Sequence, residues 1–136
     1  MTKRAVNIVV AILALVIGGF IYVALREDSY VARIFQNIYP VAYLQNSLSD
    51  FRLMWLSFYV PDYLWGLSFA CSLISLFLPS GKAIGWSVGV MILCGSLWEM
   101  MQAWQVVNGT GDIWDVLMYF LAGATVILIN FKETET

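Results

Sequence analysis

Histidine is absent from this 136-residue chain, and only 12% of its residues are charged. The first absence removes the commonest metal ligand and the usual general base, so no metal and no cofactor is expected. The second is about half the charge of an ordinary soluble domain, which carries about 25%. Only two cysteines occur, Cys71 and Cys94, each inside an apolar run. They read as small packing residues, not as a disulfide framework or a zinc site. A formal net charge of −2 offers no basic stripe, which excludes nucleic acid as a partner. There is no internal repeat, and the one biased stretch is a short acidic tail at 132–136.

What remains is apolar: 61% hydrophobic residues and a mean hydropathy of +0.80. Four runs, at 5–25, 61–78, 83–104 and 113–131, match the roughly 17–25 residues that a membrane-spanning helix needs. A helix is the only open element that satisfies its own backbone in lipid. The sequence therefore predicts an all-α fold, a four-span transmembrane bundle forming a single membrane domain over 1–136. Pro61-Asp62 looks like a helix start. The stretch 26–60 mixes Arg26, Glu27, Asp28, Arg33, Asp50 and Arg52 with aromatics and leucines, and is expected as an external amphipathic segment between spans 1 and 2.

Lysine and arginine set the orientation. Lys3 and Arg4 flank the first span, which reads as an uncleaved anchor with its N-terminus inside. Lys82 and Lys132 then fall on the same inner side, and Arg26, Arg33 and Arg52 outside. Both termini are expected to be cytoplasmic. Asp62, Glu99, Gln102, Asp112 and Asp115 all lie toward the outer face. Ionisable groups at such positions are costly unless they pair, line a wet cavity or do chemistry.

Helical spacing says which way these groups point. Gly85, Gly89, Ile92, Ser96, Glu99 and Ala103 recur at intervals of 4, 3, 4, 3 and 4. With Gly81 they make a stripe of mostly small residues, the kind that lets helix backbones approach. The expectation is that Glu99 lies on this packing seam, with Gln102 on nearly the same face. Asp112, Asp115, Tyr119, Ala122 and Val126 form a second stripe. Asp112, after Gly111, is also a candidate N-cap for the last helix. The candidate binding residues are thus Asp62, Glu99, Gln102, Asp112, Asp115 and Tyr119. Glu99, Asp112 and Asp115 are the candidates for any catalytic role.

These residues resemble the VanZ-like family of small integral membrane proteins. Glu99 and Gln102 match its E-x-x-Q pair near the outer end of a span. Asp112 or Asp115 matches the aspartate that opens the next span, and the run Asp115-Val116-Leu117-Met118-Tyr119-Phe120-Leu121-Ala122-Gly123 resembles D-V-L-x-N-x-x-G. Tyr119 stands where that family usually has asparagine, the loop before Asp112 holds no arginine, and Asp62-Tyr63-Leu64-Trp65 echoes an early D-K-x-x-H without its histidine. The resemblance covers about 62–131. It implies a bacterial inner-membrane protein acting at the cell envelope, with a role in glycopeptide antibiotic resistance.

Several functions compete. The favoured one is an outward-facing acidic pocket for a lipid, sugar or glycopeptide-type head group. An intramembrane aspartyl-type hydrolase is the alternative, since Gly109-Thr110-Gly111-Asp112 matches G-x-G-D and paired carboxylates can activate water. Cation-coupled transport is disfavoured by four spans without repeat symmetry. A structural role stays open, as a homo-oligomer or a subunit of a larger membrane complex, joined through the Gly85/Gly89 stripe.

Overall fold

A computed structural model describes residues 2–25, 51–77 and 80–131 of the chain. They form four helices: α1 (Lys3–Leu25), α2 (Phe51–Phe77), α3 (Gly81–Ala103) and α4 (Ile113–Ile129). No strand occurs among the described residues. Lys3–Val23, Ser57–Phe77 and Gly81–Ala103 are long and apolar enough to cross a membrane. The 17-residue α4 is about 25 Å long at 1.5 Å per residue, slightly short of a hydrocarbon core of about 30 Å. Large apolar side chains coat the outside, among them Val16, Phe20, Leu76, Trp86 and Leu128. A surface of that kind belongs in lipid, not in water.

The second helix departs from expectation. Pro61 is an interior residue of α2, ten residues past Phe51, and not a helix start. Proline removes one backbone donor, a loss that spanning helices tolerate when neighbouring groups re-satisfy the freed carbonyl. Residues 51–60, expected outside the membrane with the amphipathic segment, therefore continue α2. The rest of that segment, 26–50, lies outside the described residues, as does the acidic tail.

α2 packs against each of the other three helices. Its seam with α1 is built from small residues: Ala11, Ala14 and Gly18 of α1 are buried, at spacings of 3 and 4. The helices approach closely enough for Ser68 Oγ to donate to the Ala11 carbonyl at 2.8 Å. Gly18 lies under Trp65, whose Cδ1 would sit 3.0 Å from a Cβ there. Ala70, Cys71 and Ile74 of α2, Ile84 and Met91 of α3, and Ala122 and Val126 of α4 complete the apolar core.

Two amides and a lysine close one end of the bundle. Asn7 and Asn130, both fully buried, exchange side-chain hydrogen bonds of 2.8 and 3.2 Å. Lys3 Nζ donates to the Ile129 carbonyl at 2.9 Å and satisfies one of the last acceptors of α4. The start of α1 and the finish of α4 thus share one end. The opposite end gathers the finish of α1 and α3, the first half of α2 and the start of α4.

The small-residue stripe of α3 is not the intramolecular seam. Its buried residues are Ile84, Ser87, Val88, Met91 and Glu99, while Gly85 and Gly89 are exposed and a Cβ on either would meet nothing within 4 Å. At about 100° per residue, the Ile84–Val88–Met91–Gly95 row and the Gly85–Gly89 row flank Glu99 on opposite sides, each within about 80°. Spacing from Glu99 therefore fits both rows, and the bulkier one is the one that packs.

Candidate functional site

The loop between α3 and α4 folds back onto the finish of α3. Gln105 adopts φ 56° and Gly109 φ 147°, the second a conformation that favours glycine. A Cβ on Gly111 would collide with the Glu99 carbonyl oxygen and the Ala103 amide. A Cβ on Gly109 would lie 2.6 Å from the Gln102 amide carbon. The glycines of Gly109-Thr110-Gly111-Asp112 thus let this loop lie flat on α3 and bring Asp112 over Glu99.

Asp112 caps α4, as expected. Its Oδ1 accepts from the Trp114 amide at 3.0 Å, while its Oδ2 accepts from the Tyr59 hydroxyl of α2 at 3.3 Å. Its own backbone amide donates to Glu99 Oε2 at 3.2 Å. Glu99 is 5% exposed and so joins the finish of α3 to the start of α4. Gln102, one turn on, is satisfied with its amide nitrogen toward Glu99. It then donates to Glu99 Oε2 at 3.3 Å and accepts from Trp98 Nε1 at 2.8 Å.

Tyr119 lies deeper. Its ring is wedged between two glycines: a Cβ on Gly66 of α2 would be 3.2 Å from the ring, and one on Gly95 of α3 only 2.5 Å. Its hydroxyl donates to Asp62 Oδ1 at 3.4 Å. Asp62, Glu99 and Asp115 each take part in further interactions besides these.

Together these groups line a pocket of about 500 Å³ at this end of the bundle, within the roughly 300–1,000 Å³ of small-molecule sites. All six candidates, Asp62, Glu99, Gln102, Asp112, Asp115 and Tyr119, face it. Aromatic residues that spacing had not put there join them: Tyr22 of α1, Phe58, Tyr59 and Trp65 of α2, and Trp98 of α3. Trp65 and Tyr22 meet at 5.6 Å between ring centroids, their planes tilted by 34°. Tyr59 lies three residues before Asp62 and shares its helical face, a signal hidden by taking Pro61 as the helix start. Among the described residues, no three carboxylates or thiols are grouped to hold a metal ion.

Among the described residues, the fold and this site are those of a helical membrane protein with an acidic, aromatic-walled pocket at one end. No family model matches the chain, nor does any curated protein or solved structure.

Proposed function

We propose that this chain is a four-span protein of the bacterial inner membrane, with cytoplasmic termini and an outward-facing pocket. That pocket binds the amine- or hydroxyl-bearing head group of an envelope lipid, sugar or glycopeptide. One observation carries the reading: Asp62, Glu99, Asp112 and Asp115, from three helices, line a single cavity walled by aromatic rings. Carboxylates accept from ammonium and hydroxyl groups, and aromatic faces attract cations. Glu99 and Asp115 would accept from the head group, with Gln102 and Tyr119 orienting it. Lys3, Arg4 and Lys82 lie toward the opposite end, which supports the orientation. The VanZ-like resemblance supports an envelope role, and glycopeptide resistance is what it implies.

The test is to purify the chain from a bacterial membrane, soak it with lipid extract and identify what is retained. One head group should be held, and Glu99→Gln and Asp115→Asn should release it while the helices stay folded. Equal retention by all three chains would overturn the pocket reading. The hydrolase alternative draws on the placement of Asp62 and Asp112 in the same cavity. Asparagine caps a helix as well as aspartate does. Asp112→Asn therefore keeps the cap, and loss of lipid or peptide cleavage in that variant would favour hydrolysis.

A further inference from the structure

Away from the pocket, α3 carries an open trough of about 540 Å³ on its outward face. Gly85 and Gly89 form the floor, and Trp86, Val90 and Leu93 form a wall. Trp86 is 76% exposed. Lys82 stands at one end of the trough. It is exposed, and its side chain has no ion pair or hydrogen bond among the described residues. The first turn of α3 adds its own partial positive charge at that end. From Lys82 to Leu93 is about 16 Å of helix at 1.5 Å per residue. That is half of a hydrocarbon core of about 30 Å, the depth of one leaflet.

We propose that this trough holds one anionic phospholipid. Its phosphate pairs with the Lys82 ammonium, and one acyl chain lies over Gly85 and Gly89 along Trp86, Val90 and Leu93. Charge selects this occupant over a second copy of the chain. A two-fold axis along the membrane normal would bring the same residues of two α3 helices together, setting Lys82 against Lys82. An anionic head group turns that unpaired cation into an ion pair. The inference rests on α3 spanning a membrane and is independent of what the acidic pocket binds.

The experiment is native mass spectrometry of the full chain, released from mild detergent with equal amounts of phosphatidylglycerol and phosphatidylcholine. One basic residue at a membrane surface contributes about 1 kcal/mol toward anionic lipid, so the native chain should favour phosphatidylglycerol about fivefold more than Lys82→Gln does. Lys82→Arg should keep the preference. Gly89→Leu should fill the trough and lower retention of both lipids. An unchanged lipid ratio in Lys82→Gln would overturn the proposal. So would a disulfide-linked dimer formed in native membranes by Gly89→Cys in a Cys94→Ala background, which would put a second copy on this face. A chain that retains neither lipid would overturn the proposal too, and would leave the membrane reading, which rests on the length and apolarity of the helices, in place.

Discussion

Replacing Gly95 by alanine tests the geometry that sets the floor of the pocket. The new methyl would lie 2.5–2.8 Å from three atoms of the Tyr119 ring, where carbon atoms at rest keep about 3.5–4.0 Å. The ring cannot retreat far, because the opposite side is already against Gly66, where a Cβ would be 3.2 Å away. Forcing a methyl into a filled core costs about 1–3 kcal/mol. Alanine also has the higher helix propensity, by up to about 1 kcal/mol. Gly89→Ala isolates that second effect, since its methyl meets nothing within 4 Å. The difference between the two variants cancels propensity and leaves the steric cost, so Gly95→Ala should be less stable than Gly89→Ala by about 1–3 kcal/mol. The assay is reversible unfolding in mixed micelles of rising sodium dodecyl sulfate, followed by far-ultraviolet circular dichroism. Tyr119→Ala should abolish the difference, because the ring that clashes is gone. Equal stability of Gly95→Ala and Gly89→Ala, or a difference that survives Tyr119→Ala, would refute the wedge.

Three further outcomes are expected. Asn7→Ala and Asn130→Ala should each destabilise the bundle in the same micelles, and their double-mutant cycle should give a coupling of roughly 0.6–2 kcal/mol, the range for hydrogen bonds between membrane helices; additive effects would mean the amide pair is not formed. Asp112→Ala should cost about 0.5–2 kcal/mol for a lost cap while Asp112→Asn costs little, measured by thermal unfolding in detergent; identical losses would show that the charge, not the cap, holds α4. An impermeant thiol reagent added to intact spheroplasts should label a cysteine placed at Thr110 and spare one placed at Thr2; the reverse pattern would put the acidic pocket in the cytoplasm.

Hydropathy located α1, α3 and α4 to within two residues at each end, because each boundary coincides with a change from apolar to polar sequence. It misplaced the start of α2 by ten residues. A helix does not have to end where its apolar run ends, and the polar residues before Leu53, together with Pro61, hid the continuity. Which acids share a space was legible, because Glu99 and Gln102, and Asp112, Asp115 and Tyr119, recur at helical spacing on neighbouring helices joined by a short loop. Which small residues carry the packing was not. Gly85 and Gly89 form the most regular glycine pattern, yet they face outward. Gly95, Gly109, Gly111 and Gly123, none of them part of that four-residue pattern, are positions where a Cβ would come closer than 3.0 Å to a neighbour. Periodicity reports a helical face and says nothing of what stands opposite it. The wedge of Tyr119 is a contact among three helices, and no one-dimensional spacing encodes it.

The two ends of the bundle offer an internal comparison. At one end the chain ties α1 to α4 with Asn7 and Asn130, two neutral amides that satisfy each other while fully buried. Amides do this without the penalty of bringing charge into an apolar site. At the other end the helices are joined by Glu99 to the Asp112 amide, Tyr59 to Asp112 and Tyr119 to Asp62. Each of these bonds is a long one, at 3.2–3.4 Å, and every acceptor is a carboxylate. If fastening helices were the whole task, glutamine or asparagine at 62, 99 and 115 would serve at lower cost, as asparagine does at 7 and 130. Asp112 is the exception, since it caps α4 and a carboxylate there also meets the partial positive charge of the helix start. Asp62, Glu99 and Asp115 all face the acidic pocket of this end. Amide substitutions at these three positions therefore separate the two tasks: Asp62→Asn, Glu99→Gln and Asp115→Asn together should keep or raise stability in the micelle assay while head-group retention is lost. A triple variant that unfolds would show that the carboxylates themselves hold the end together, and the case for a binding pocket would fall with it.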